Sequence, residues 1–259
     1  MYTMIKINFK FRSVCFCILW IFAALVCSVF TGCKDDFDGE AYIADQAYDL
    51  EIPADFPALA FDRDKNPVTV NGVAWGKKLF YEGRLSRNNS ISCGFCHIQE
   101  NAFTHHGHPI SHGIDNRLGI RNAPPIQNMA FLSNYTWDGV SHDLDERSLV
   151  PITTDFEMDS SMPEVVGKLN TDANYKKLFK AAFGDENITG ERVLKAISQF
   201  MATMVSADSK YDRVLKGKTT FTAEENEGYQ LFRNNCASCH SGALFTDESF
   251  RNTGMYYNA

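Results

Sequence analysis

Hydrophobic spacing predicts α-helices from about residue 70 onward. Apolar residues that recur at helical intervals predict a short helix over residues 73–81. Ser161 and Glu164 form a capping box, and Pro163 lies in the first turn, where its missing N–H is harmless. Further helices are predicted up to residue 183, because Gly184 is typical of a helix end.

A long helix is predicted from Thr189, its N-cap, to about residue 215, where Gly217 follows. One face of this helix is apolar and is interpreted as core. That face consists of Val193, Ile197, Phe200, Met201 and Met204. Thr222 and Glu225 form a second capping box, which opens a helix that leads to residue 236. No segment is rich in strand signals, so the fold is predicted to be mainly α.

The N-terminus has the pattern of a targeting segment. Three basic residues precede residues 13–30, which carry no charge and are mostly apolar. Phe30-Thr31-Gly32-Cys33 resembles a bacterial lipobox, although Phe30 stands where Leu is usual. We expect residues 1–32 to be a lipoprotein signal peptide, Cys33 to take the lipid, and residues 33–55 to form an acidic tether. The alternative is an uncleaved anchor with an unmodified Cys33.

Whether the segment is a cleaved signal peptide or an uncleaved anchor, we expect the rest of the chain to be exported, because the basic flank stays on the cytoplasmic side. The expected location is therefore the periplasm or outer membrane of a Gram-negative bacterium, with membrane attachment through the lipid. The formal net charge of −7 argues against a nucleic-acid partner and is compatible with docking a basic redox protein.

Two Cys-x-x-Cys-His motifs carry the candidate chemistry. They are Cys93-Gly94-Phe95-Cys96-His97 and Cys236-Ala237-Ser238-Cys239-His240. This motif is typical of covalent c-type haem attachment, with the histidine as an axial iron ligand. The alternatives are a redox cysteine pair or half of a zinc site, but zinc half-sites usually lie within about 15–20 residues of each other. The remaining cysteines, Cys15, Cys17, Cys27 and Cys33, fall in the N-terminal segment, so no disulfide is expected.

The order of shorter motifs between residues 75 and 253 resembles that of bacterial dihaem cytochrome c peroxidases and their methylamine-utilisation relatives. Before and around the first haem motif these are Leu79-Phe80-Tyr81-Glu82-Gly83-Arg84-Leu85-Ser86, Ile91-Ser92-Cys93 and Ala102-Phe103-Thr104. After it come Arg121-Asn122-Ala123-Pro124, Trp137-Asp138-Gly139, Phe156-Glu157-Met158 and the stretch from Cys236 to Gly242. The resemblance implies two cytochrome c-like haem domains with long loops, over residues 56–205 and 206–259.

The resemblance also implies a role for each haem and an enzyme that acts on hydrogen peroxide. The haem of the first motif would reduce peroxide to water. The haem of the second motif would receive electrons from a small cytochrome or cupredoxin. Trp137 corresponds to a tryptophan that helps electrons pass between the haems, and Glu157 to the distal acid of the peroxide pocket. A homodimer is also implied.

Two further metal roles follow from the resemblance. His112 corresponds to a histidine that caps the peroxidatic iron in the resting oxidised state, and Asn122 to a ligand of a calcium ion between the domains. The neighbouring His105, His106 and His108 compete with His112 for the iron. From the residues alone, Glu157 could be a surface acid, Trp137 core packing and Asn122 part of a turn.

Two alternative functions remain open. One is an oxidase that modifies a protein partner, like the methylamine-utilisation relatives, and the other is a dihaem electron-transfer lipoprotein without catalysis. Family members continue beyond the second haem motif, in a part that carries the sixth ligand of the C-terminal haem. We therefore expect this chain to be a truncated form with an incomplete second domain.

Overall fold

The computed structural model describes residues 45–252 and Gly254. The predicted signal peptide, the lipidated Cys33 and the first part of the tether lie outside the described residues. Within them, none of the helices has both the length and the apolar character needed to span a bilayer. The described chain is helical with long loops, which confirms the prediction of a mainly α fold.

The described residues contain nine α-helices. They are α1 (Val70–Phe80), α2 (Cys93–Cys96), α3 (Leu144–Arg147), α4 (Leu149–Thr153), α5 (Met162–Asn170), α6 (Ala173–Phe183), α7 (Gly190–Ala202), α8 (Lys210–Leu215) and α9 (Ala223–Asn235). Short 3₁₀ turns lie at Gly83–Leu85, Gln99–Asn101, Ile114–Asn116 and Met129–Phe131. In this part of the chain, strand-like pairing is limited to the isolated bridges Ala47–Thr69, Ile98–Thr104 and His112–Leu118.

The core forms where α1 packs against α7 and α6. Gly76 lets α1 approach α7 closely, because a Cβ at this position would collide with the carbonyl group of Ala196. Trp75 is fully buried and packs against Tyr175 and Phe179 of α6, with ring centroids 4.9 Å and 5.8 Å away. This packing fixes the end of α1, from which the chain leads into the first haem motif.

The predicted helix boundaries hold where they depend on local capping. Ser161 and Glu164 form both hydrogen bonds of a capping box at α5, and Thr222 and Glu225 do the same at α9. Gly184 ends α6 in the left-handed region, with φ of 84°. These ends are determined by side chains within three or four residues, so the sequence alone predicts them.

The prediction of one long helix from Thr189 to about residue 215 was wrong. Helix α7 ends at Ala202, and α8 begins anew after Ser209, which forms its own capping box with Asp212. Between the helices, Asn128 donates its backbone N–H to the Met204 carbonyl at 2.8 Å and accepts from the Ser206 N–H at 2.7 Å. A distant residue therefore satisfies the backbone groups that would otherwise continue the helix.

A buried polar network joins α3 to the core. The Asn66 amide donates to Asp145 at 2.7 Å and to Ser198 at 3.0 Å, and its oxygen accepts from Gln199 at 2.8 Å. Asn66 is only 2% exposed, so these bonds replace contacts with water that folding removes. The network fixes α3, and with it Arg147 at the end of that helix.

Candidate functional site

The first haem motif forms a single helical turn followed by a tight loop. Cys93 and Cys96 lie on α2, and the His97 N–H donates to the Cys93 carbonyl at 2.9 Å. The His97 Nδ1 bonds the carbonyl of Phe103 at 2.9 Å. Phe103 and the preceding Ala102 both have positive φ, 56° and 54°, which bends the loop back beneath the imidazole. The hydrogen bond fixes the ring through Nδ1, so Nε2 is the nitrogen that would bind a metal.

The second motif repeats this arrangement. The His240 N–H donates to the Cys236 carbonyl at 3.0 Å, and the His240 Nδ1 bonds the carbonyl of Phe245 at 3.1 Å. Phe245 has a φ of 54°, like Phe103 in the first loop. The two motifs thus share both the hydrogen bond from the histidine N–H to the first cysteine and the backbone acceptor for the imidazole.

One cavity of about 810 Å³ reaches both motifs. Cys93, Cys96 and His97 line one part of it, and Cys239 and His240 line another. Its walls are largely apolar, and its volume is near the upper end of the usual range for small-molecule and cofactor sites. Two thiols and an imidazole beside an apolar cavity are the groups that a covalent c-type haem requires, so the first motif fits this cofactor.

The second motif has the same attachment groups in more open surroundings. Helix α9 contributes no buried residue in the described part of the chain, and Leu231 on it is 59% exposed. Cys236 is exposed as well. Its cysteines and His240 fit a covalent haem, which would cover apolar surface that the described residues leave open.

Burial sets the protonation of the first motif. Burial raises the pKa of Cys93 and of Cys96 to about 12. Burial also lowers the pKa of His97 to about 4, against the opposing effect of its hydrogen bond to Phe103. At neutral pH the imidazole is therefore uncharged, which is the form that binds iron.

Glu157 lies in the wall of the cavity beside the first motif. A backbone hydrogen bond fixes its main chain, since the Glu157 carbonyl accepts the Ile114 N–H at 2.8 Å. Gly113 packs against the same backbone so closely that a Cβ would collide with the carbonyls of Phe156 and Glu157. Burial raises the pKa of the Glu157 carboxyl, and the positive charge of Arg147 opposes this effect. Raised carboxyl pKa values are common in acid–base sites.

Arg147 is a cavity residue that the sequence reasoning missed. Its Nη1 is buried and has no hydrogen-bond partner among the described residues. Burial lowers the pKa of the guanidinium, and the charge of Glu157 works against that effect. A signal was present, because Arg147 follows the buried Leu144 by three residues and therefore shares its inward face of α3.

Trp137 lines the cavity with 54% of its surface exposed. Its Nε1 donates to the Asn122 carbonyl at 2.9 Å. The Asn122 side chain is occupied by protein groups: its oxygen accepts from Ser111 at 2.9 Å, and its nitrogen donates to the carbonyl of His108 at 2.8 Å. Trp137 is thus placed beside the cavity, whereas a calcium role for Asn122 stays a prediction.

His112 does not line the cavity. It lies with His105 and His108, and ring nitrogens of the three histidines are within 4.8 Å of one another. Phe95, in the middle of the haem turn, packs against His105 and His112 with ring centroids 5.7 Å and 5.4 Å away. Capping of the iron by His112 therefore stays a prediction, and the structure places the ring in a cluster of histidines instead.

Comparison with known proteins gives one consistent set of relatives. A sequence profile of the family described as di-haem cytochrome c peroxidase matches residues 70–220. Over 225 residues the chain is 33% identical to the methylamine utilization protein MauG of Methylophilus methylotrophus, covering 82% of this chain and 66% of that one. It is 34% identical over 194 residues to the cytochrome c peroxidase Ccp of Escherichia coli K12, covering 74% of this chain and 41% of that one.

A solved structure shows the same relation. The crystal structure of a MauG-like protein associated with microbial copper homeostasis matches with a TM-score of 0.72 and 31% identity. The match covers 81% of this chain and 66% of that one. The chain thus spans between 41% and 66% of the length of these three relatives.

Proposed function

This chain belongs to the di-haem cytochrome c peroxidase family, and from that premise we propose that it is the haem-binding part of a peroxidase. The proposed reaction reduces hydrogen peroxide to two waters with two electrons from a small cytochrome or cupredoxin. The observation that carries the proposal is a partly buried carboxyl, Glu157, in the same cavity wall as the first haem motif.

We assign one c-type haem to each motif. Cys93, Cys96 and His97 would hold the first, and Cys236, Cys239 and His240 the second. When bound, haem supplies a redox-active iron that delivers electrons to peroxide while the O–O bond is cleaved. The protein contributes the proton transfers, the positioning of peroxide and the separation of the first site from bulk water.

Glu157 is the proton carrier in this proposal. Reduction of peroxide requires one oxygen to lose a proton and the other to gain one, and an ionised carboxylate in contact with both can move it. Burial raises the pKa of Glu157, so the ionised form is lost at a higher pH than for an exposed glutamate. Activity should therefore be present above this raised pKa and fall as the pH drops through it.

Arg147 and Trp137 support the same chemistry. A cation with a free N–H in the cavity wall can donate a hydrogen bond to peroxide and hold the Glu157 carboxylate in its ionised form. Trp137 reaches the cavity that both motifs line, and its hydrogen bond to Asn122 fixes the orientation of the indole. We propose that this indole aids electron transfer between the two sites.

The test is a stopped-flow reaction of half-reduced protein with hydrogen peroxide. Glu157→Gln should retain both haems and slow peroxide turnover by about 100-fold or more, the usual scale for acid–base catalysis. Glu146→Gln is a matched control, since Glu146 is exposed and does not line the cavity. Equal turnover in Glu157→Gln and the control would exclude the assigned role.

The same measurement addresses the electron-carrier alternative. A chain in which both irons are permanently six-coordinate should react with peroxide no faster than an ordinary six-coordinate cytochrome. That outcome, without any effect of Glu157→Gln, would favour an electron-transfer protein over an enzyme.

A second enzymatic function, oxidation of a protein partner, is favoured by one observation. Two methylamine utilization proteins named MauG match this chain at 33% and 36% identity, close to the 34% of two cytochrome peroxidases. Peroxide consumption that needs no reduced cytochrome but oxidises aromatic residues of an added protein would support this function. Strict dependence on a reduced donor would support the peroxidase.

A further inference from the structure

Three histidines form a triangle on the loop behind the first haem motif. The ring centroids of His105, His108 and His112 are 4.3 Å, 4.9 Å and 4.8 Å apart, and a ring nitrogen of each lies within 4.8 Å of the others. Three nitrogens bound at ~2.1 Å to one tetrahedral ion lie ~3.4 Å apart. Small side-chain rotations that close the triangle by about an ångström would therefore complete three bonds to a metal ion.

Two of these rings bury nitrogen atoms without a partner. His105 is 3% exposed, and its Nδ1 has no hydrogen bond among the described residues. The Nδ1 of His112 is buried and unpartnered in the same way. An unsatisfied buried polar group costs about 1–3 kcal/mol, and most buried side-chain polar atoms in proteins have a partner. A ligand shared by the three rings would satisfy these atoms.

The backbone around the triangle is already held in place. The Asn122 amide donates to the carbonyls of His105 at 3.3 Å and His108 at 2.8 Å. Gly107, with φ of 78°, makes the turn between them. The His108 Nδ1 lies 3.1 Å from the His106 carbonyl, so its Nε2 is the nitrogen free for a metal. Such outer contacts orient histidine ligands in metal sites.

We propose that His105, His108 and His112 bind one divalent transition-metal ion that prefers imidazole, zinc or copper. No thiol or carboxylate belongs to the triangle, so the site does not match the oxygen-rich ligand sets of calcium or magnesium. Three histidines leave a fourth position on the exposed side of His108, where water can bind. None of the three lines the haem cavity, so this ion is additional to the haem irons.

The bound ion would also stabilise the loop that contacts the cavity residues Glu157 and Trp137. Gly113, which follows His112, packs against the backbone of Glu157. Asn122, whose side chain bonds His105 and His108, accepts the Trp137 Nε1 hydrogen bond at its backbone carbonyl. A metal ion would thus cross-link the loop that contacts both of these cavity residues.

The experiment compares two neighbouring exposed histidines. Protein with covalent haem is dialysed against EDTA, and metal-free samples are titrated calorimetrically with ZnCl₂ and, separately, CuCl₂. Metal content relative to haem iron is measured by mass spectrometry after dialysis. His108→Ala removes one ligand at an exposed position, and His106→Ala is the matched control on the other side of Gly107, outside the triangle. Haem content verifies the fold of each variant.

We expect one equivalent of zinc or copper per chain in the wild type and in His106→Ala. His108→Ala should bind at least about 100-fold more weakly, because loss of an outer-shell contact alone costs about 10–100-fold. The tighter-binding ion identifies the metal. Binding that is substoichiometric in the wild type, or of equal affinity in His106→Ala and His108→Ala, would overturn the assignment. Neither result depends on peroxidase activity.

Discussion

Gly113→Ala tests how the protein holds Glu157 in the cavity wall. A Cβ at this position would lie 2.5 Å from the Phe156 carbonyl oxygen and 2.6 Å from the Glu157 Cα. Both are backbone atoms, which cannot rotate away as the end of a side chain can. The backbone at Glu157 must therefore move, and its carbonyl would lose good geometry with the Ile114 N–H, now 2.8 Å away.

The expected cost follows from these two effects. Overpacking of a tight site costs about 1–3 kcal/mol, and weakening of one buried hydrogen bond adds about 0.5–1.5 kcal/mol. We therefore expect the free energy of unfolding to fall by roughly 2–4 kcal/mol. A displacement of a catalytic group by ~1 Å costs about 100-fold in rate, so peroxide turnover should fall on that scale.

Urea unfolding and steady-state peroxide turnover measure the two effects. Gly167→Ala is the matched control, because Gly167 is exposed in α5 and nothing lies near its would-be Cβ. In the control, the better helix propensity of alanine should raise stability by about 0.5–1 kcal/mol with turnover unchanged. If Gly113→Ala matched the control in both stability and turnover, the close contact between this loop and Glu157 would not hold the carboxyl in place.

Three further predictions concern separate parts of the molecule. Arg147→Leu should move the acid limb of the turnover profile to higher pH, since loss of the nearby cation raises the pKa of Glu157 further. Arg147→Lys should leave the limb in place, and an unmoved limb in the Leu variant would contradict the coupling. Asn66→Ala should lower the free energy of unfolding by about 3 kcal/mol, because it removes a buried hydrogen bond to Asp145 and leaves the Gln199 amide nitrogen without its partner. A loss below ~0.5 kcal/mol in urea unfolding would show that water replaces the amide. Radiolabelled palmitate should enter the wild-type protein but not Cys33→Ala, and label that persists in the variant would exclude lipidation at this residue.

The sequence predicts the local features of this fold well. The starts of α5 and α9 and the end of α6 each depend on a capping residue whose partner lies within one helical turn. The two haem motifs are equally local, since five consecutive residues define each one. Glu157 and Trp137 were singled out by the family resemblance, and both line the cavity, while their roles stay predictions.

Features that depend on contacts between residues distant in sequence could not be predicted from local capping residues or motifs. The break between α7 and α8 arises because Asn128 bonds backbone groups of the intervening segment. The spacing of Arg147 from Leu144 is a weak signal on a helix of four residues, and the packing of α3 is what shows that Arg147 lines the cavity. The histidine triangle depends on how Asn122 folds the loop, which spacing along the chain does not reveal.

The shared geometry of His97 and His240 has a consequence for reduction potentials. In both loops the histidine Nδ1 bonds the carbonyl of a phenylalanine a few residues further on, Phe103 or Phe245. Each of these phenylalanines has a backbone in the left-handed region. A hydrogen bond of this kind makes a histidine ligand a stronger electron donor, and it would do so for His97 and His240 alike. A difference in potential between the two haems would then reflect solvent exposure and nearby charges such as those of Glu157 and Arg147. A redox titration that resolves the two haems would therefore measure those contributions, with the axial histidine held constant.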